Sequence, residues 1–322
     1  MTAIQPRRDL PVVEPTAPAG GAPRATVGDY LSLVKPRIIE LLLVTTFPVM
    51  FLAQRGIPPL GLTLATLIGG MLSAGAANTF NCYFDRDMDR KMHRTEHRPL
   101  VTGAISPGRA LAFGYAQAVV SLIILAWLVN PLSAALSFTA IVMYVWLYTI
   151  VLKRRTPQNI VWGGAAGCMQ VLIGWTAVTN SLAWPAFVLF LVVFFWTPPH
   201  YWPLSMRFKD DYAAAGVPML PVVASDVAVA RQVLRYAALT VVTSLALIPL
   251  APMGWVYLVS ATGGGLMFLH EAWRLLQRAQ DPANRTLASL KPMRMFHLSI
   301  TYLTLLFVAV AVDPLLYLAL PF

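Results

Sequence analysis

Polar positions all but vanish from this chain for about twenty residues at a time, and the intervals between these gaps are short. Strands of soluble sheets alternate every two residues and amphipathic helices repeat every three or four, but here neither period is needed to see the pattern. A helix rises about 1.5 Å per residue, so runs of this length match roughly 30 Å of hydrocarbon. The runs predict nine spans at 38–54, 60–84, 108–130, 133–152, 159–178, 183–206, 232–252, 254–276 and 296–318. The architecture is therefore an all-α, polytopic membrane helix bundle from residue 29 to 322, preceded by a disordered tail over 1–28 that is rich in Pro, Ala and Gly and has no apolar signal segment. In the sixth run, Pro198 and Pro199 predict a kink or a break, since each removes a main-chain donor.

Composition agrees with the pattern, with 57% hydrophobic and 12% charged residues in 322. The charge adds orientation. Of 24 Lys and Arg, 23 fall in the tail, at the entry to the first span or in the 2/3, 4/5, 6/7 and 8/9 connections, and only Arg55 falls on the other side. By the positive-inside rule the N-terminus is cytoplasmic and, after nine spans, the C-terminus is outside. Because the excess of +10 is confined to loops and forms no continuous stripe, it points to lipid headgroups and an anionic substrate and away from nucleic acid. Cys82 and Cys168 both fall within spans, which leaves no disulfide framework or zinc cluster.

The carboxylates are more selective. The second span ends in Asn81-Cys-Tyr-Phe-Asp85-Arg-Asp-Met-Asp89. On a helix the i, i+4, i+8 spacing of Asn81, Asp85 and Asp89 puts three oxygen-bearing side chains on one face. Mg²⁺ takes oxygen ligands and is usually completed by water and substrate phosphates, so this face beside Arg and Lys describes a metal-diphosphate cradle. A solvated acidic turn is the plainer alternative, but carboxylates near membrane depth are costly and seldom idle. A second motif follows the sixth span, where Trp196-Thr-Pro-Pro-His200-Tyr-Trp leads to Arg207-Phe-Lys209-Asp210-Asp211. Parity places it at the same membrane face as the first motif, together with Lys153, Arg154 and Arg155. Two acidic motifs and a cationic one above an apolar bundle fit a diphosphate whose tail lies among helices, and hence prenyl transfer, with aromatic faces stabilising an allylic cation.

At these residues the chain resembles the UbiA superfamily of intramembrane prenyltransferases, and within it the heme-farnesylating branch. The segments that carry the resemblance begin at Tyr30 (YLSLVKPRIIELLL), Asn81 (NCYFDRDMDRKMHRTEHRPL), Leu152 (LKRRTPQNIVWGG), Ile173 (IGWTAVT) and Trp196 (WTPPHYWPLSMRFKDDYAAAGVPMLPVV). The resemblance implies transfer of a farnesyl group from farnesyl diphosphate to a vinyl group of heme B, with water supplying a hydroxyl, to give heme O. It implies Mg²⁺ as cofactor, held by Asn81, Asp85 and Asp89 with Asp211 from the second motif, and Asn81, Asp85, Asp89, Asp210 and Asp211 as the catalytic set. Lys35, Arg37, Arg94, Arg98, Lys153 and Arg154 would bind diphosphate.

His200, beside the proline pair among aromatic residues, is a candidate to contact heme, and Tyr83, Trp196, Tyr201 and Trp202 are candidates to line the prenyl pocket. His93 and His97 sit in the charged loop. One departure is Gln170-Val171, where such enzymes usually have a proline pair. A bacterial inner membrane is the expected location in preference to the mitochondrial inner membrane, and a heme A synthase or a terminal-oxidase assembly factor is the expected partner. The competing readings are a related prenyltransferase for an aromatic acid or quinone precursor and a non-enzymatic heme-handling or transport protein.

Overall fold

The computed structural model describes residues 25–284, 286–316, 318 and 320. Nine long helices account for most of them: α1 Pro36–Gln54, α2 Leu60–Asp89, α3 Pro107–Val129, α4 Pro131–Leu152, α5 Asn159–Thr179, α6 Trp184–Arg207, α7 Asp226–Leu250, α8 Trp255–Gln280 and α9 Pro292–Leu316. Eight are long and apolar enough to cross a membrane. The other, α8, has the length, but its second half carries His270, Glu271, Arg274 and Arg278. Consecutive helices pack on each other, α9 returns to α1, and α5 and α6 fill the middle against α1 and α9.

Most starts have a local reason. Ser106, Asn130 and Ser225 accept a hydrogen bond from the main-chain N–H three residues on, and proline opens α1, α3, α4 and α9, where its missing donor costs little. Without a hydrophobic drive between helices in lipid, close approach depends on small residues. A Cβ added to Gly174 on α5 would lie 2.6 Å from the carbonyl oxygen of Thr46 on α1. Trp127, Trp184 and Trp255 are exposed at one end of the bundle, and Trp146, Trp162 and Trp273 toward the other, as interfacial anchors are.

Three features differ from expectation. A short helix, Val27–Val34, precedes the first span and starts inside the stretch assigned to the tail, with Thr26 and Asp29 forming a capping box; residues 1–24 lie outside the described residues. Of the kink or break expected at Pro198–Pro199, the break is absent, for α6 runs unbroken through Pro198, Pro199 and Pro203. Packing against α5, α7 and α9 holds it, and the Trp196 indole donates to the Ser299 carbonyl at 2.8 Å. Finally, α4 widens into a π-helix over Met143–Leu152, where the Lys153 N–H bonds the Tyr148 carbonyl five residues back at 2.9 Å. Such segments cluster at functional sites.

Candidate functional site

At some 45 Å by helical rise, α2 is longer than the hydrocarbon is thick. Its last turns carry Asn81, Asp85 and Asp89, all buried on one face as their spacing predicts. The site is built around them. Asn81 donates to Asp85 Oδ2 at 2.7 Å and to Thr149 Oγ1 at 3.0 Å, and its own oxygen accepts from Lys35 Nζ at 2.6 Å. Lys153, the first residue after the π segment of α4, reaches Asp85 Oδ2 at 2.5 Å, and Arg98 Nη1 reaches Asp89 Oδ2 at 2.6 Å.

Each cation has a local cause for its position. Lys35 sits between two helices with φ 54, a left-handed conformation unusual for a side-chain-bearing residue. The carbonyls just before it, at the end of Val27–Val34, are taken by α2: Asn78 Nδ2 donates to the Val34 oxygen at 2.8 Å, and the Cys82 thiol approaches the Leu33 oxygen. These contacts fix the turn and aim Lys35 at Asn81. Burial, with Arg98 and Lys153 nearby, pulls the Lys35 ammonium down to about 8. Arg98 is brought back over the end of α2 by the tight 90–98 connection, in which Thr95 donates to the Asp89 carbonyl at 3.0 Å. The π turns of α4 set Thr149 toward Asn81, and Tyr148 against the cluster described next.

The two acidic connections pack on one another through Met88, Met92, Ile160, Tyr212, Val217 and Met219, with Tyr148 and Tyr201 against them. The Arg94 N–H donates to Asp211 Oδ2 at 3.2 Å, its guanidinium donates to the Tyr212 hydroxyl at 3.1 Å, and the Tyr201 and Tyr212 hydroxyls lie 2.7 Å apart. Burial pushes the Tyr212 phenol well above its ordinary range, so it stays protonated.

The remaining expected residues are placed differently. Asp210 is exposed, and Asp211 joins the site through Arg94 without meeting Asp85 or Asp89. Among the described residues no three His, Cys, Asp or Glu side chains gather as a metal cluster, so the four-oxygen set with Asp211 is not assembled. Arg37 is exposed at the start of α1, and Arg154 is exposed and reaches only the Phe84 carbonyl, at 3.3 Å. His200 is turned toward α9, stacked between Trp196 at 4.2 Å and Phe296 at 4.6 Å, with Nδ1 2.9 Å from Ser299 Oγ. Trp202 is fully buried, and Tyr83 is stacked under Arg86. His93 and His97 flank Glu96 in the exposed loop. Gln170 is buried on an uninterrupted α5. Sequence reasoning missed Thr149, Tyr148 and Tyr212, whose roles depend on the π-helix and on the folding of the 6/7 connection.

Two oxygens decide what the arrangement is for. Asp85 Oδ1 and Asp89 Oδ1 are buried with no hydrogen-bond partner among the described residues, while the second oxygen of each is bonded to a cation. A buried carboxylate oxygen left bare is costly, and a hard divalent cation is the partner its chemistry suits.

The comparisons agree with the class these features define. Residues 42–319 match the UbiA prenyltransferase family, and the chain belongs to it. It is 55% identical to the protoheme IX farnesyltransferase of Streptomyces coelicolor over 316 residues, which are 98% of this chain and all of that protein. It is 59% identical to that of Streptomyces avermitilis over 292 residues, 91% of this chain and 95% of that one. Among solved structures it shares the fold of a UbiA homologue from Aeropyrum pernix K1, with TM-score 0.68 and 20% identity over 86% of this chain and 98% of that one. It also shares the fold of the Archaeoglobus fulgidus homologue bound to GPP and Mg²⁺, with TM-score 0.59 and 18% identity over 88% and 99%.

Proposed function

We propose that this chain transfers a farnesyl group from farnesyl diphosphate to a vinyl group of heme B, with water supplying a hydroxyl, to give heme O. The observation that carries the proposal is the pair of bare oxygens on Asp85 and Asp89 within a ring of cations, in a chain more than half identical to protoheme IX farnesyltransferases. Asp85 and Asp89 would be the residues that hold Mg²⁺, with the substrate diphosphate as its further partner. The Archaeoglobus homologue, which shares this fold, was solved bound to GPP and Mg²⁺. When bound, the metal supplies positive charge against the departing diphosphate.

The chain's own residues then have distinct tasks. Lys153 and Arg98 hold the second oxygens of the two aspartates and fix both carboxylates in place, leaving the other oxygen of each turned to the site. Lys35, linked to Asp85 through Asn81, and Arg94, linked to Asp211, offer charge to the diphosphate from two further sides. Asn81 sets the rotamer of Asp85. The Tyr144 and Tyr148 rings, 5.4 Å apart and tilted by 31°, present aromatic faces on the α4 side, where an allylic cation gains from the ring quadrupole.

The acids lie at one end of the bundle and not at mid-span, which separates this site from a transport pathway. The chain is an integral membrane protein of bacterial type; the positive-inside reading of its basic loops supports a cytoplasmic-membrane orientation with the site and the N-terminus toward the cytoplasm and, with α8 counted as a ninth span, the C-terminus outside. Heme O passes from it to a heme A synthase or a terminal-oxidase assembly factor. The test is to incubate purified protein with farnesyl diphosphate, Mg²⁺ and heme B and to weigh the hemes. Heme B gaining the mass of a hydroxyfarnesyl unit is expected; unmodified heme alongside a prenylated aromatic acid or quinone precursor overturns the acceptor assignment.

A further inference from the structure

The basic and acidic cluster takes no part in a cavity of about 630 Å³ that lies between α8 and α9. Met267 and His270 line it from α8 and Met293, Arg294 and His297 from α9, with Glu271 at its floor. The floor is a fixed structure. Glu271 is 2% exposed, Arg278 donates to one of its oxygens at 2.6 Å, and Arg294 Nε lies 3.1 Å from the other. The Arg294 side chain is nonetheless 68% exposed, so Glu271 occupies one edge of the guanidinium and leaves its outer nitrogens for another anion. Both imidazoles are exposed, and neither has a hydrogen-bonding partner among the described residues.

Two imidazoles, two thioethers and an anchored arginine around one cavity are an unusual set. A bare metal ion would need a gathering of three or more ligating side chains, and the described residues contain none. An iron porphyrin needs only one or two axial ligands, because the macrocycle provides four; imidazole and thioether are the side chains that serve. Its carboxylates need a cation at the polar edge, which Arg294 provides, and its apolar body needs a wall such as the two methionines. Parity puts this end of α8 and α9 at the same membrane face as Asp85 and Asp89. Phe296, whose ring stacks on His200 and contacts His297 edge-on at 5.3 Å, places the groove one helix away from the α6 wall.

We infer that the α8–α9 groove is a holding site for an iron porphyrin bearing carboxylates, its iron ligated by His297 and His270 and a carboxylate paired with Arg294. The choice of porphyrin rests on the heme-prenylating reading; the site itself rests on the ligands. Since the groove shares no residue with the diphosphate cluster, it serves arrival or departure of heme and not the transfer step.

The test is optical titration of the purified full-length protein in detergent with heme B, without farnesyl diphosphate. Wild type is expected to give the red-shifted Soret band of imidazole-ligated heme. His297→Ala and His270→Ala should weaken that component at least tenfold, His297→Met should restore binding with a changed spectrum, and metal-free protoporphyrin should bind at least tenfold more weakly than heme. In parallel, heme O formation at saturating heme should persist in the two alanine variants with a raised KM for heme. Unchanged spectra and affinity in the His270→Ala/His297→Ala double variant, or equal affinity for metal-free porphyrin, overturn the site. Wild type that binds heme with the expected spectrum yet makes no heme O overturns the proposed reaction and leaves the site standing.

Discussion

Four of the described carboxylates are buried, and they divide into two pairs of opposite character. Glu271 and Asp313, on α8 and α9, have every oxygen occupied. Arg278 and Arg294 take Glu271, while the Gly254 and Tyr257 N–H groups donate to Asp313 at the start of α8, the latter at 3.0 Å. Asp313 thus satisfies main-chain donors at the buried start of α8, which have no partner within the helix. Asp85 and Asp89 are buried as deeply, at 0% and 1%, but each keeps one oxygen bare. A saturated buried carboxylate holds parts of a protein together. One that is half-saturated and faced by cations is stored binding capacity.

The contrast is broken most directly by neutralising one member of each pair. Asp85→Asn and Asp89→Asn keep shape and remove charge, and each is expected to lower turnover about a hundredfold or more, on the scale of losing a transition-state electrostatic contact, with the protein still inserted and folded. Asp313→Ala should do the reverse, destabilising the protein by about 1 to 3 kcal/mol for each main-chain donor it strands and leaving turnover per folded molecule unchanged. Activity and thermal unfolding measured on the same preparations check both; a stable, inactive Asp313 variant or a fully active Asp85 variant removes the distinction.

Lys153→Gln is expected to act next most strongly. It leaves the Asp85 charge without its nearest cation and takes a cation from the diphosphate, and a charge-assisted contact is worth roughly 1.5 to 3 kcal/mol, or about ten- to hundredfold in turnover. Lys153→Arg should recover part of that. Steady-state kinetics with varied farnesyl diphosphate separate loss of affinity from loss of rate.

The helices were legible because hydrocarbon demands long apolar runs, a signal that survives every detail of packing. Asn81, Asp85 and Asp89 were legible because helical geometry alone puts them on one face. The pairing of Lys35 with Asn81 was not, since it depends on a left-handed residue between two helices that α2 holds in place through Asn78 and Cys82. Nor was the π-helix that presents Thr149 and Lys153, because the sequence of Met143–Leu152 has no marker for an added residue per turn. The proline pair misled in the other direction. Two missing donors predict a break, yet contacts from α5, α7 and α9 keep α6 continuous and turn His200 away from the acidic cluster.

That π segment gives a smaller, sharper test. A Cβ on Gly163 of α5 would collide with the ring of Tyr148, so this glycine is what lets α4 lie against α5 with the tyrosine turned inward. Gly163→Ala should displace the ring and reduce turnover several-fold, whereas Gly108→Ala, which meets no neighbour at the exposed start of α3, should not. Equal activities would show that the position of Tyr148 is incidental to the reaction.

The smallest effect separates topology from chemistry. Lys153, Arg154 and Arg155 are consecutive and basic, and as a sequence they serve the positive-inside rule equally. In the structure only Lys153 is buried; Arg154 is exposed at a main-chain oxygen of α2, and Arg155 is exposed. An exposed contact of that kind contributes at most about 1 kcal/mol. Arg154→Gln should therefore change turnover by no more than about fivefold, and Arg155→Gln by less, while the other basic residues on that face keep the orientation fixed. Kinetics on the inserted variants rank the three. If Arg154→Gln falls as far as Lys153→Gln, the guanidinium leaves Phe84 for the diphosphate when substrate binds, and the boundary between the saturated scaffold and the half-saturated site lies one residue further out.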